Sequence, residues 1–534
     1  MPILFQACSF QNDSSHFRDG RRGQVLVLIA CMAGVMIGLG GLAVDLVLAY
    51  SVKTFLATAT DAAALGAIRA LERGVTYSDQ QAEIQRVAGM LFDANFPDNI
   101  LLTGNSGNFS QSIKVAAKNM DPGAPAMFET DPAMKAGMRE VRIKTIAEAP
   151  TFFMRYFGVN KVTVRSSAYA ARRDVNVMVV LDRSASLKSA NAWDDVQESA
   201  IKFIEKFDNN RDRLGLVTFG TGANVDFSLA KGFKTGNAVK NKILAQQVPS
   251  SAYTNYSTGL WLAYAELLRV QDADALNAIV FFTDGQPSAF SARFRMKTSG
   301  SSPRCSSSWV EGTVGAGQDA SVWNNPRFYD VRGLWNRDAN GPPVYYGSGS
   351  SSYDHPQHSS CSSWMDQWGA DVELAFNSSY DWPTTWTATE SGGISKTFCI
   401  DDNASGCEGD DGTFSYSRND SRLYSNSSTT SNATFRGTNV HNGAKNLSLN
   451  IAQTARRDST LGGVYIHAIG LGGYGYDADA SFMKRMTNDP SNSYGVQIAA
   501  ATNEPMGSYV YAPSLGELNA AFDKVRSEVM RLTR

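Results

Sequence analysis

The spacing of apolar and polar positions divides the chain into stretches with different periods. Val25–Val44, VLVLIACMAGVMIGLGGLAV, holds twenty residues with no charged or strongly polar member. At about 1.5 Å per residue the run reaches about 30 Å, the hydrocarbon thickness of a bilayer, and predicts a transmembrane helix. It is long for a signal-peptide core and no clear small-x-small cleavage site follows, so a retained anchor is expected. Helix-forming alanines and leucines continue through LVLAYSVKTFLATATDAAALGAIRALE, predicting one long helix that leaves the membrane. Further on, VRIKTIAEA and VTVRSSAYA alternate with period two and predict half-exposed strands. TFFMRYFG between them predicts a short helix ending at Gly158. Together these segments predict a small α+β spacer.

A different pattern begins at residue 173. DVNVMVVLD, RLGLVTFG, AIVFFTDG and GVYIHAIGLG are near-continuous apolar runs, as strands buried on both faces require. Amphipathic stretches such as NAWDDVQESAIKFIEKF and STGLWLAYAELLRV separate them, and LGELNAAFDKVRSEVMRL closes the chain. Alternating buried strands and amphipathic helices predict an α/β fold with a doubly wound parallel sheet. Between residues 288 and 440 the rhythm breaks into Ser-, Asn-, Gly- and Tyr-rich sequence. That segment holds seven of the nine tryptophans, which argues for a folded, loop-rich insertion. The expected order is a cytoplasmic 1–23, a transmembrane helix that continues beyond the membrane over 24–72, and a spacer 73–172. The α/β domain follows as two parts, 173–287 and 441–534, around the insertion 288–440.

Charge and cysteines add location. A net charge of −2 without any Lys/Arg block gives no electrostatic reason to expect a nucleic-acid partner. Arg18, Arg21 and Arg22 precede the apolar run, while Asp45 and Lys53 follow it. The positive-inside bias then leaves the N-terminus in the cytoplasm and everything after residue 50 outside. Four of six cysteines, Cys305, Cys361, Cys399 and Cys407, fall within about a hundred residues and form no CxxC pair. Two disulfides in an oxidising compartment are expected. The spacing Gly34-x-x-x-Gly38 permits close packing of two such helices, hence a homo-oligomer.

The candidate chemistry sits where strands end. In a doubly wound sheet ligands gather at the carboxyl ends of strands, and Asp182 and Asp284 both stand there. Two carboxylates converging on one edge repel unless a positive charge lies between them. Ser184 and Ser186 follow the first, and Thr254 precedes a helix in YTNYSTGLWLA. Five oxygen donors without histidine or thiolate suit Mg²⁺, or the related hard cations Mn²⁺ and Ca²⁺, with water or a ligand carboxylate completing the shell. Helix N-capping is the plain alternative for Asp182 taken alone. An aspartyl phosphotransfer site needs a second acid two residues on, where Ser184 stands. A serine hydrolase needs a nucleophile elbow, which no strand-to-helix turn supplies. No enzymatic activity is therefore expected. His467, inside the last strand, reads as a satisfied core or edge histidine. His355, His358 and Cys361 have metal-like spacing, but oxidation of the cysteine competes with zinc. Residues 401–412 resemble a calcium loop that lacks the bidentate acid at its twelfth position, Gly412.

Two resemblances arise from these motifs. RRGQ before the anchor, GLAVDLVLAY at its end and DAAALGA beyond it resemble the N-terminus of TadE/TadG-like Flp pilus-assembly proteins. The spacer order of strand, PTFFMRYFG and strand is also similar. Where a processed type IV pilin carries glutamate five residues after its cleavage glycine, counting from Gly23 gives Leu28, which again implies an uncleaved anchor. D-x-S-x-S at Asp182, Ser184 and Ser186, Thr254 before Asn255, Gly259 and Leu260, and T-D-G at Thr283–Gly285 resemble the von Willebrand factor A domain with its metal-ion-dependent adhesion site. Ala185 and Tyr253 replace glycines that are commoner there. The resemblances imply a bacterial inner-membrane protein with a periplasmic binding domain of a tight-adherence pilus system. Its metal would capture an acidic side chain from a protein partner, with pilus-assembly components the expected candidates. A structural anchor whose metal only steadies the fold is the competing expectation.

Overall fold

The computed structural model describes residues 21–71, 76–103, 108–115, 126–133, 137–249, 252–295, 309–316, 331–335, 383–400, 437–473, 478–491 and 504–532. Two compact units emerge. The first comprises residues up to Ala67, Gln85–Ser112 and Arg142–Tyr169; the second comprises Ile68–Ile84, Ile113–Val141 and Ala170 onward.

Helix α1, Arg21–Ala70, is a single uninterrupted helix. Its residues from Val25 onward are long and apolar enough, by length and composition, to cross a membrane. The stretch expected to meet lipid leaves Leu26, Met36 and Ile37 about 70% exposed. Beyond it the helix changes character. Val52, Leu56, Ala59, Ala63 and Ala67 are fully buried at spacings of three and four, the stripe of a helix packed on one side. The spacer contributes α2 (Tyr77–Asn95) and strands β1 (Asn108–Val115), β2 (Phe128–Thr130), β3 (Met138–Pro150) and β4 (Lys161–Arg173). These strands form a sheet in the order β2-β1-β3-β4. Strand β3 alternates buried and accessible residues, as its period-two sequence predicts.

The second unit is built on a six-stranded sheet. Its strands are β5 (Val175–Asp182), β6 (Arg213–Phe219), β7 (Ala223–Ala230), β8 (Leu276–Thr283), β14 (Val464–Leu471) and β15 (Tyr509–Ala512). The order is β15-β14-β8-β5-β6-β7, parallel except for the β6–β7 pair. The doubly wound parallel sheet read from the sequence is present, with one antiparallel strand added at its edge. The antiparallel edge arises because only the short turn Gly220–Gly222 separates β6 from β7, too short for a crossover. Every residue of β5 and β8 is buried. Successive β5 residues feed two cores. Met178 and Val180 pack with α6 (Tyr256–Val270), α7 (Gly437–Arg457) and α8 (Ala480–Thr487). Val177, Val179 and Leu181 pack with α4 (Trp193–Ile204), α5 (Ala238–Leu244) and the C-terminal helix Leu515–Leu532.

The described parts of the insertion are mostly strands. Strands β9 (Ala289–Arg295), β10 (Trp309–Ala316) and β11 (Val331–Trp335) form an antiparallel sheet. Strands β12 (Thr385–Glu390) and β13 (Ile394–Cys399) form a hairpin. Phe290, Phe294, Trp386 and Phe398 join the core shared with α6 and α7, so these strands extend the α/β core instead of standing apart. Cys399 is buried at the end of β13. Cys305, Cys361 and Cys407 lie outside the described residues, as do His355, His358 and residues 401–412, so the expectations for disulfides and accessory metals fall there.

A buried ion network closes the amino-terminal edge of this sheet, where β5 and β6 begin. Fully buried Arg139 donates through Nε to Asp174 (3.0 Å) and through Nη1 to Asp208 (2.5 Å). Arg172 pairs with Asp212, whose carboxylate also accepts the backbone N–H groups of Val175 and Asp208. Gln80 Nε2 donates to the second Asp208 oxygen at 2.6 Å. Burial alone would raise the Asp208 pKa, but Arg139 and Arg172 outweigh it and hold the carboxyl below its ordinary value. Arg139→Ala leaves these carboxylates buried without their main cation. A loss of about 3–5 kcal/mol in unfolding free energy is expected, measurable by denaturation of the detergent-solubilised chain.

Candidate metal centre

The parallel register of β5 and β8 pairs Leu181 with Phe282 and so sets Asp182 beside Thr283. Thr283 Oγ1 donates to Asp182 Oδ2 at 2.6 Å, while Ser184 N–H donates to Asp182 Oδ1 at the same distance. Asp284 follows Thr283 at once. Ser186 Oγ donates to Asp284 Oδ1 at 2.8 Å; Ser184 Oγ lies 3.4 Å from that oxygen and 3.0 Å from Ser186 Oγ. Four of the five expected residues thus converge in one hydrogen-bonded cluster. Asp182, Ser184 and Asp284 are buried, and Ser186 is partly open to solvent.

Thr254 is tied in through its backbone. Its N–H donates to Ser288 Oγ (3.0 Å), and its carbonyl accepts from the N–H groups of Ser288 and Ala289. The loop is fixed by Asn255, which caps α6 through Thr258 N–H and donates to the Thr221 carbonyl and Ser291 Oγ. Thr254 therefore lies beside the segment that begins four residues after Asp284. The replacements at Ala185 and Tyr253 are both accommodated. Ala185 opens the short helix α3, Ala185–Ser189, and is absent from the residues with positive φ, so no glycine is needed. Tyr253 fills space over Gly315 of β10, where a Cβ would lie 2.7 Å from its ring. The insertion thereby abuts the loop that carries Thr254.

Sequence reading missed two supporting groups. Tyr256, fully buried, donates to Thr283 Oγ1 (3.0 Å) and also contacts the Gly285 carbonyl, orienting the hydroxyl that serves Asp182. No local pattern announces it, since its position on α6 looks like an ordinary core site. His441 is the second: its Nδ1 meets the Pro287 carbonyl at 2.8 Å, and burial lowers its pKa to about 4, keeping the ring neutral. His467 is buried, as expected, with Nδ1 2.9 Å from Ser508 Oγ.

The electrostatics are those of two acids forced together. Burial raises Asp182 to about 6, against hydrogen bonds from Thr283 and Ser184 that favour its charged form. Burial and then the charge of Asp182 raise Asp284 to about 8. Asp284 Oδ2 is buried without any hydrogen-bond partner, a costly state for a carboxylate oxygen. No ion pair reaches either carboxylate among the described residues. Arg183 points elsewhere, its Nη1 donating to Gln246 Oε1 at 3.2 Å. An unpartnered oxygen, a second acid and three nearby hydroxyl residues are a donor set that fits a hard divalent cation. Among the described residues no cluster of three or more His, Cys, Asp or Glu offers a competing metal site.

Comparison with known proteins matches two segments of the chain. Residues 177–286 match the von Willebrand factor type A domain, and residues 23–70 match the Flp pilus-assembly TadE/G-like family. No curated protein matches the chain. Similar solved structures include the pilus adhesin SpaC from Lactobacillus rhamnosus GG in an open conformation, at 13% identity and TM-score 0.31 over 75% of this chain and 33% of that one. The vWF domain of the type V pili tip protein Mfa5 from Porphyromonas gingivalis is 14% identical at TM-score 0.31, over 68% of this chain and 98% of its own. Proximal thread matrix protein 1 from the mussel byssus, with a zinc-occupied MIDAS motif, is 11% identical at TM-score 0.29, over 66% and 47%. The chain thus spans about half of the mussel protein's length and a third of SpaC's. Scores this low carry no argument, and the family assignment rests on the two segment matches. This chain carries a von Willebrand factor type A domain at residues 177–286 and a TadE/G-like Flp pilus-assembly segment at residues 23–70.

Proposed function

We propose that the α/β domain is a binding module that captures a protein partner through a divalent cation held by Asp182, Ser184, Ser186, Thr254 and Asp284. The observation that carries this reading is the buried, unpartnered Asp284 Oδ2 beside a second buried acid. All five residues offer hard oxygen, which favours Mg²⁺. A bound cation would supply positive charge between the carboxylates and an open coordination position for an acidic side chain of the partner. The chain's own residues do the positioning. Thr283 and the Ser184 amide orient Asp182, and Ser186, partly open to solvent, marks the entry. The TadE/G-like segment supports a partner among pilus-assembly components. The apolar run and the arginines before it support a single-pass inner-membrane placement, N-terminus cytoplasmic and binding domain periplasmic. The proposed division is anchor 24–72, spacer 73–172, and a domain of 173–287 and 441–534 interrupted by 288–440.

The second reading, a structural anchor, is favoured by the same acid pair, because neutralising it steadies the fold whether or not a partner binds. Asp182→Ala in the full chain separates the two. Loss of Mg²⁺-dependent partner capture from membranes, with the fold retained, is expected of a binding module. Equal capture by variant and parent, in EDTA and in Mg²⁺ alike, contradicts it.

Stability carries a second test. Both carboxyls have pKa values raised by folding, so between about pH 4 and 8 the folded chain holds more protons than the unfolded one. Without divalent cations its stability should fall as pH rises through that window. Mg²⁺ replaces the proton, so its stabilisation should grow with pH. At a hundredfold excess over Kd the gain is about 2.7 kcal/mol, a Tm rise of about 5–10 °C. Melting curves at pH 5 and pH 8, with EDTA or Mg²⁺, measure it; a gain independent of pH contradicts the account. Asp284→Asn removes the repulsion. It should raise Tm in EDTA at pH 8 while abolishing the Mg²⁺ response in the same melts.

A further inference from the structure

The tip of the β3–β4 hairpin is held against α1 at the level where the apolar run ends. Asp45 is the first charged residue after Val44, yet its side chain is buried. Its carboxylate accepts three consecutive backbone N–H groups, from Phe152 (2.7 Å), Phe153 (2.9 Å) and Met154 (2.7 Å). These amides open the 3-10 turn Met154–Phe157, which ends at Gly158 with φ +86°. Both sides benefit at a membrane boundary, where an unpaired carboxylate and unpaired amides are each expensive. Higher up, Thr60 Oγ1 and Thr145 Oγ1 lie 2.7 Å apart. From Thr60 to Asp45 the helix descends about 22 Å, and from Thr145 to Phe152 an extended strand covers about 23 Å. Strand β3 thus runs down α1 toward the bilayer over matched lengths.

The tip passes below Asp45. A Cβ at Gly41 would lie 2.3 Å from the Phe153 ring, and one at Gly38 would lie 3.9 Å from its edge. Gly41 is about 6 Å, and Gly38 about 10 Å, further along the helix into the apolar run. Glycine at 41 is what lets the ring seat there. Beside Phe153 in the tip, Phe152 (47%), Tyr156 (81%) and Phe157 (71%) are exposed, and on α1 so is Tyr50 (71%), five residues beyond Asp45. Arg155 is exposed and stands 5.9 Å from the Tyr156 ring. Aromatic rings with a basic residue are the composition of an interfacial belt, where amphipathic rings sit at headgroup depth and cations meet lipid phosphate.

We propose that the hairpin tip, Phe152–Phe157, is a second membrane contact, embedded in the headgroup–acyl boundary of the leaflet at the Asp45 end of α1. The bilayer is the occupant the structure favours, because the tip lies along the same apolar run that would face lipid. This inference rests on α1 spanning the membrane and goes beyond the metal-dependent reading.

The test uses the full chain reconstituted in phosphatidylethanolamine–phosphatidylglycerol vesicles, with and without acyl chains brominated close to the headgroup. Phe157→Trp is compared with Tyr169→Trp, an exposed position further up β4. The emission added by Phe157→Trp should be quenched about twofold or more by the brominated lipid, and that added by Tyr169→Trp should not change. Unquenched emission from Phe157→Trp, in chains that resist carbonate extraction, overturns the proposal; if that emission is also blue-shifted, the tip faces a second copy of the chain instead. Release of the chain by carbonate overturns the spanning reading and this one with it. Gly41→Leu, which blocks the Phe153 seat, should reduce the Phe157→Trp quenching, and quenching unchanged by it would contradict the described docking.

Discussion

Asp182 and Asp284 stand at the ends of two adjacent parallel strands, buried, with no ion pair to either among the described residues. Everything around them follows from that conflict. The β5–β8 register brings the acids together, and apolar strands on both sides remove the water that would screen them. Hydroxyls of Thr283 and Ser186 and the Ser184 amide favour the charged forms, but burial outweighs them, and both pKa values rise. One buried oxygen is left without any donor. The proposed cation would supply the positive charge that this arrangement lacks, and oxygen donors of this kind suit hard divalent cations.

The opposite edge of the same sheet shows what the fold does when no external ion is wanted. Asp174, Asp208 and Asp212 gather where β5 and β6 begin, and Arg139 and Arg172 are buried with them. Both edges concentrate aspartates, but only the amino edge is given arginines. Arg183, the nearest cation in sequence to the carboxyl edge, is turned toward Gln246. The two edges thus differ in charge balance: arginines pair with the acids at the amino edge, and no ion pair reaches Asp182 or Asp284 among the described residues.

Much of this was legible in the sequence. The D-x-S-x-S and T-D-G motifs sit at the ends of runs that read as buried strands, so strand polarity alone places Asp182 and Asp284 on one edge. Thr254 was expected there from its position before an amphipathic helix, and its described hydrogen bonds run through its backbone to Ser288 and Ala289, not to the acid cluster. What escaped depends on long-range pairing. The edge strand β7 alternates weakly, and only its partner β6 makes it a strand. Arg139 and Asp208 look like surface charges until the fold buries them together. The insertion reads as loops by composition, yet Phe290, Phe294 and Trp386 alternate into the shared core. The aromatic turn after β3 reads as a short helix, and nothing local shows that Asp45, over a hundred residues earlier, closes it.

The most direct test of the central claim is a crystal of the chain grown with Mn²⁺, whose anomalous scattering locates the ion without assumption. One strong peak is predicted at the carboxyl edge of the central sheet, within coordination distance of oxygens of Asp182, Ser184, Ser186, Thr254 and Asp284 or of their bound waters. Well-ordered side chains with no anomalous peak between the two aspartates, at saturating Mn²⁺ and pH 8, would contradict it.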